Sequence, residues 1–334
     1  MANLYEAYPW QKEMHESKAK IKFVQAGRRA GKTRSALQEA LRQIREASIN
    51  PVVFPGKKQK LTAEQAGLVP PIHIWTVAPT RAQMLQVWNE MQAFIPKHIV
   101  RKTKNQKQGG GRGGGFKQDD LHVWLDLKDE NGQWLPNRWR QSVFWELKSA
   151  DNPEGLQTVG LDFLHMAESQ DIKEAAWNKV RPTLNSPGRL GRAIVEGVPP
   201  ESTQHWFARN FKMAKENPST RREAFHASTF DNPYLTDEDR LEIEEEKGSL
   251  TEGIWERFYL AKQPEGAGGF FRNITKAYSS GAYEMIKPDL DSSYVAGLDI
   301  GRANDPTVLI IKDRVTRTSV FAVELMKTDW SLQL

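Results

Sequence analysis

Apolar positions along this 334-residue chain repeat with two different periods. Short apolar runs at 21–25, 72–77, 143–147, 163–167 and 193–195 have the length and composition of buried strands, Ile21-Lys22-Phe23-Val24-Gln25 being the first. Between them the spacing turns helical. Ala36, Leu37, Ala40, Leu41 and Ile44 mark a helix over 34–47. Met84, Leu85, Val87, Trp88 and Met91 mark one that starts after Thr80, its expected N-cap, and Ala176, Trp177, Val180 and Leu184 mark one over 172–184. Strand and helix in alternation predict an α/β fold, a mostly parallel sheet with helices on both faces.

Other stretches depart from that rhythm. Residues 121–127 alternate apolar and polar, the segment 128–132 reads as a turn, and 143–147 returns as a strand, so a hairpin insertion is expected there. Residues 48–71 are polar with prolines and lysines and read as a loop, and Ser149-Ala150-Asp151-Asn152-Pro153-Glu154-Gly155 as a turn cluster. Residues 201–287 read as helical and mixed, with Thr236-Asp237-Glu238-Asp239 as a capping box. The stripe Ile254, Trp255, Phe258 and Tyr259 reads as core. Residues 263–269 form a linker, and a second domain starts at about Pro288 with strands at 294–301, 308–312 and 320–324.

The first strand runs into Ala26-Gly27-Arg28-Arg29-Ala30-Gly31-Lys32-Thr33 and then into Arg34 and the first helix. Strand, glycine turn, Gly-Lys-Thr and helix make a phosphate-binding loop, in which backbone N–H groups and the helix dipole face a polyphosphate. In that arrangement Lys32 reaches the β- and γ-phosphates and the Thr33 hydroxyl ligates Mg²⁺. Alanine stands at 26 where the usual pattern has glycine. The alternative is a glycine turn opening an ordinary helix. Fifteen residues upstream, Tyr8-Pro9-Trp10-Gln11 places an aromatic beside an amide that could stack on and pair with adenine; equally, it is a hydrophobic staple with a solvated glutamine.

An apolar strand ending in acid is the second requirement of such an ATPase, one carboxylate for the magnesium shell and the next for the attacking water. Here Leu161-Asp162-Phe163-Leu164-His165-Met166-Ala167-Glu168 ends in a single acid. Glu168 fits the water-activating role. Ala167 stands where the metal aspartate is expected, so that carboxylate comes from elsewhere, with Asp162 a poor substitute, or hydrolysis is impaired. The strand at 193–195 ends in Glu196-Gly197-Val198-Pro199-Pro200, small residues positioned to sense a γ-phosphate. Arg138 and Arg140 precede a strand; one could reach a phosphate, but exposed strand arginines are the expectation.

Composition narrows the function classes. The chain is 39% hydrophobic and 27% charged, with a formal net charge of +5, which permits but does not require a nucleic-acid partner. With no cysteine, disulfides, thiolate nucleophiles and Cys-ligated zinc are excluded. No signal peptide opens the chain, and no apolar run reaches the roughly 18 residues of a membrane span. The segment 101–117 carries Arg101, Lys102, Lys104, Lys107, Arg112 and Lys117 around a glycine run and no acid; it reads either as a solvated loop or as a nonspecific contact to a phosphate backbone. Asp299, in the strand Tyr294-Val295-Ala296-Gly297-Leu298-Asp299, is the kind of acid that holds one metal of a two-metal nuclease. The last residues, 327–334, have neither helix stop nor polar tail and read as a chain cut in mid-domain.

Taken together, these motifs resemble the large terminase subunit of tailed bacteriophages. The resemblance runs from Tyr8 to the end of the chain. It rests on Tyr8-Pro9-Trp10-Gln11, the 27–33 loop, Ala78-Pro79-Thr80-Arg81, the 149–155 turn, Glu168, Gly197-Val198-Pro199, Asp231-Asn232-Pro233-Tyr234, the 255–261 helix, and Asp299 with Asp305. It implies a RecA-like P-loop NTPase core at 1–215, a small helical lid at 216–265, a linker at 266–287 and the start of an RNase H-like domain at 288–334. It further implies ATP and Mg²⁺ as cofactors. Gln11, Gly27, Arg28, Arg29, Ala30, Gly31, Lys32, Thr33 and Arg34 would line the nucleotide, with Lys32, Arg28 and Glu168 catalytic. Gly197, Val198 and Pro199 would couple hydrolysis to movement, and Thr33 and Asp299 would be metal ligands. Val198 departs from the threonine common there. Double-stranded DNA, a portal protein, a small terminase subunit and a homo-oligomeric ring are the implied partners, in the host cytoplasm and without a membrane. Two other readings remain, a helicase-like DNA-dependent ATPase and a non-hydrolysing DNA-binding or assembly subunit.

Overall fold

The structure, a computed structural model, describes residues 5–49, 70–102, 115–117, 120–263, 291–299 and 307–325. The chain divides into two units, Met1–Gly268 and Gly269–Leu334. The first is built on helix α1 (Pro9–Glu16), strand β1 (Ile21–Ala26), helix α2 (Lys32–Ile49), strand β2 (Ile72–Ala78) and helix α3 (Arg81–Phe94). It continues through β3 (Gly115–Lys117), β4 (His122–Asp126), β5 (Ser142–Ser149), β6 (Phe163–Met166), α4 (Glu174–Val180), β7 (Arg192–Gly197), α5 (Trp206–Glu216), β8 (Arg222–Ala227), α6 (Asp237–Lys247) and α7 (Glu252–Phe258). The strands lie in the order β3-β4-β5-β2-β6-β7-β1-β8. All pair in parallel except β3 with β4 and β4 with β5, so the expected hairpin extends one edge of a parallel sheet.

Period-two alternation distributes side chains between two apolar layers. Val24, Ala26, Ile74, Phe163 and Ile194 face the layer that holds α2 and α3; Phe23, Trp75, Leu164, Met166 and Val195 face the layer of α4 and α5. There Trp177 and Trp206 stack with centroids 5.3 Å apart. β7 lies between β1 and β6, so the loop after β1 and the acid after β6 stand two strands apart at the same, carboxyl-terminal edge, where open α/β sheets bind ligands.

Local chemistry accounts for several boundaries. Thr80 caps α3 as expected, its hydroxyl oxygen accepting from Gln83 N. The helix expected over 172–184 is shorter; past Val180 it tightens into a 3₁₀ turn, Arg181–Asn185, where Pro182 has no N–H to donate. β8 falls where helix was expected. Of its residues Arg222-Glu223-Ala224-Phe225-His226-Ala227, at the edge of the sheet, only Phe225 and Ala227 are buried, too few to read as a strand from sequence.

Two buried ion clusters lie in the first unit, and the first of them corrects the sequence reading. Arg140, expected on the surface, is buried and bonds Asp162 at 2.6 Å, and Arg189 reaches the same carboxylate at 2.6 Å. Asp162 also accepts from the backbone N–H groups of His73 and Leu190. Its oxygens are thus committed at the amino-terminal end of β6, and it is not the missing metal carboxylate. On α2, Glu39 is 1% exposed and meets Lys22 at 2.8 Å and His15 at 2.6 Å.

The second unit contains β9 (Tyr294–Asp299), β10 (Thr307–Asp313) and β11 (Ser319–Leu325), an antiparallel sheet in the order β11-β10-β9. Among the described residues no helix is long and apolar enough to cross a membrane.

Candidate functional site

The 27–33 loop begins where β1 ends. Ala26 is still part of the strand, paired with Ala227 and fully buried, so its position requires no positive φ and its methyl group packs into the core. This is why alanine serves where glycine is usual. Gly27 cannot be so replaced. A Cβ there would lie 2.6 Å from Thr229 N and 2.7 Å from the carbonyl of Tyr259. Arg29 and Gly31 turn through positive φ, 59° and 82°, and α2 opens at Lys32.

A cavity of about 530 Å³ opens over the loop, lined among others by Arg28, Arg29, Lys32, Thr33, Arg34 and Glu168. The buried Lys32 Nζ donates to the Gly27 carbonyl at 3.1 Å. Ala30 is buried in the core beneath the loop. Gln11 lies under the loop: its Nε2 donates to the Gly31 carbonyl at 3.2 Å, and its Oε1 accepts from Tyr8 N and the Tyr5 hydroxyl. It is buried, and its amide holds the loop backbone in this structure.

Glu168 follows β6 with φ 50°, ψ 48°, a left-handed conformation that costs a non-glycine residue roughly 1 kcal/mol and recurs at functional sites. Burial, and next the charge of Glu196, push its carboxyl above the ordinary range. Its Oε2 accepts from Gln170 Nε2 at 2.8 Å, while Gln170 Oε1 accepts from Val198 N at 3.2 Å. One amide thus bridges Glu168 to the Gly197-Val198-Pro199 turn. Gly197 permits this approach, since a Cβ there would lie 2.2 Å from Gln170 Oε1. From the same turn the Pro199 carbonyl accepts from Arg257 Nε at 2.6 Å. Arg257 lies 4.8 Å from the centre of the Phe258 ring, and Arg28 of the loop lies 4.0 Å from it on its own account. Asn232 Nδ2 donates to the Arg29 carbonyl and Thr229 Oγ1 to that of Arg28. The stripe read from sequence as core therefore places Phe258 on the loop.

Sequence reasoning passed over Glu196, Gln170, Phe258 and Arg257. The first had a signal. Glu196 lies two residues from Ile194, on the strand face buried under α2, where alternation calls for an apolar side chain. It is 0% exposed, its Oε1 lies 3.4 Å from Thr33 Oγ1 and 3.3 Å from His165 Nε2, and its Oε2 has no partner among the described residues. The other three act through packing that no local pattern reveals.

The residues present fit an Mg²⁺–nucleotide. Thr33 lines the cavity, and behind it stands a buried carboxylate with an unsatisfied oxygen, an expensive arrangement without a nearby cation. Among the described residues no group of three or more His, Asp or Glu side chains is placed to hold a metal unaided, so phosphate oxygens and water would have to complete its shell.

Of the predicted basic segment, 103–114 lies outside the described residues. Arg101 is bound to Asp126 at 2.6 Å and stands 4.7 Å from the Trp124 ring centre, a structural placement. Asp299 is exposed at the end of β9, opposite Val308 of β10. Asp305 lies outside the described residues.

The strand order, a mostly parallel sheet with helices on both faces, defines an α/β fold of the RecA-like class. Among solved structures the chain is similar to the large terminase ATPase domain of Thermus phage P74-26, at 20% identity and TM-score 0.54 over 78% of this chain and 95% of that one. It is similar to the large terminase of the thermophilic bacteriophage D6E in complex with ADP, at 12% identity and TM-score 0.52 over 98% and 72%. It also resembles the HK97 bacteriophage large terminase, at 15% identity and TM-score 0.52 over 93% and 61%. At these identities the likeness establishes the fold, that of a terminase large subunit-like protein. No family model and no curated protein matches the chain.

Proposed function

We propose that this chain is the ATPase of a DNA-packaging motor, a large terminase that drives double-stranded viral DNA into a procapsid. The observation that carries the reading is the single cavity shared by Lys32, Thr33 and Glu168 at the carboxyl edge of a RecA-like sheet. ATP would lie over the 27–33 loop, its phosphates facing the N–H groups at the start of α2. Lys32 would exchange the Gly27 carbonyl for a charged phosphate oxygen, the stronger acceptor. Arg28, Arg29 and Arg34 supply positive charge at the cavity wall. Glu168 would take the proton of the attacking water, its raised pKa making it the stronger base. Bound Mg²⁺ would neutralise phosphate charge next to Thr33.

Movement would leave the site through Gln170. When Glu168 engages water, the amide it holds shifts, and with it Val198, Pro199 and Arg257 of α7. A Gln170→Ala variant is therefore expected to lose roughly tenfold in kcat, the worth of one charge-assisted hydrogen bond, with KM for ATP unchanged and stimulation by DNA abolished. Steady-state hydrolysis with and without DNA measures all three.

By the same reading the core spans 1–215, the lid 216–265, the linker 266–287 and an RNase H-like domain starts at 288, with Asp299 its first metal ligand. Double-stranded DNA, portal protein, small subunit and a ring of like chains are the partners, in the host cytoplasm.

The deciding experiment is Mg²⁺-dependent ATP hydrolysis with and without double-stranded DNA, beside Lys32→Ala. Turnover stimulated by duplex and reduced at least about tenfold in the variant is expected, the Lys32–phosphate bond being charge-assisted. Turnover indifferent to Lys32 would overturn the site assignment. ATP binding without turnover would leave the assembly-subunit reading, and stimulation by single strands with unwinding the helicase-like one.

A further inference from the structure

We infer that Glu196, on β7, supplies the magnesium-shell carboxylate that position 167 lacks. The inference rests on the nucleotide reading of the cavity proposed above. In this fold the strand beside the loop strand and the strand beyond it both end under the loop, so a carboxylate on either can reach the same point. β6 offers none: Ala167 is fully buried in the apolar core. β7 runs parallel between β6 and β1, with Val195 opposite Met166 and Glu196 opposite Val24. Glu196 therefore stands one strand closer to the loop, at the level of Ala167.

Three observations support the substitution. Glu196 Oε1 lies 3.4 Å from the Thr33 hydroxyl, the group expected to ligate magnesium. Its Oε2 is buried and has no partner among the described residues, although a buried carboxylate oxygen normally has a donor. His165, fully buried on the neighbouring strand, holds Oε1 from the other side at 3.3 Å, which fixes the carboxylate. Such second contacts orient metal ligands elsewhere. The other acids fit less well. Asp162 is consumed by two arginines at the far end of β6, and Glu90 lines the cavity from α3 but is exposed. A glutamate has one methylene more than an aspartate, which suits a carboxylate reaching out from an adjacent strand.

The test is the metal dependence of nucleotide binding, which needs no turnover. A fluorescent ATP analogue is titrated into the full chain in EDTA and in Mg²⁺, and Mn²⁺ binding with the same nucleotide is followed by electron paramagnetic resonance. The unaltered chain is expected to bind more tightly with Mg²⁺. Glu196→Gln should lose about 10- to 100-fold in metal affinity while metal-free nucleotide binding is unchanged. Adding Ala167→Asp to that variant should restore the metal response, and Glu90→Gln should leave it intact. If Glu196→Gln does not fold, Glu196→Asp, which keeps the charge and draws it back, decides in its place by a weakened metal response. An unchanged response in the Glu196 variants, or its loss in Glu90→Gln instead, overturns the inference while leaving the nucleotide site standing. No nucleotide binding by the unaltered chain overturns both.

Discussion

Replacing Glu168 by glutamine is expected to lower ATP turnover about a thousandfold, the usual worth of a well-placed general base, without weakening ATP binding. The carboxylate lines the cavity with Lys32 and Thr33 and is the acid directly after β6. Burial and the Glu196 charge raise its proton affinity, and Gln170 holds one of its oxygens. Glutamine keeps the shape and still hydrogen-bonds Gln170, but it cannot accept a proton. The loss should therefore fall on kcat alone. Single-turnover hydrolysis beside equilibrium binding of ATP separates the two. Weakened binding together with lost turnover would instead mean that Glu168 supports the loop.

The largest stability effect is expected at Glu39. This carboxylate is 1% exposed and compensates Lys22, itself buried on β1, while His15 of α1 bonds its second oxygen. Truncation to alanine leaves the Lys22 charge buried without a counter-ion, a loss of about 3–5 kcal/mol, or a fall of about 10 °C in Tm for a unit of this size. Differential scanning calorimetry measures it. The same cluster sets an acid limit. Burial opposes the charge on Glu39, but the His15 hydrogen bond and Lys22 outweigh it and hold the carboxyl down at about 2 against an ordinary 4.5. Glu146 is likewise held at about 2, against burial, by His73, Lys148 and Trp75. Between those values the unfolded chain binds the protons that the folded chain refuses, so stability falls as pH falls from about 4.5 to about 2 and is fully present above that window. Urea midpoints across this range should decline steeply in the unaltered chain and less so in Glu39→Gln. A flat profile would mean that the cluster does not survive in solution.

What the chain determines by itself is local. Short, mostly apolar runs of three to six residues and the 3.6-residue spacing between them are properties of neighbouring positions, so β1, β2, β5, β6, β7, α2 and α3 were legible, as was the glycine turn of the 27–33 loop. β8 was illegible because, at the margin of the sheet, only Phe225 and Ala227 of its six residues are buried, which leaves too short an apolar pattern to read. Charge at a strand end was legible as an anomaly but not as a role. Arg140 read as exposed because burial of a cation depends on its finding Asp162, 22 positions later. Glu196 read as the end of a strand because its meaning lies in Thr33, 163 residues away in the chain. Only the parallel packing of β7 between β1 and β6 brings those two within contact. The same holds for Phe258 on Arg28 and for Gln170 between Glu168 and Val198. Side-chain chemistry across strands is set by register and strand order, and these are decided by the tertiary structure.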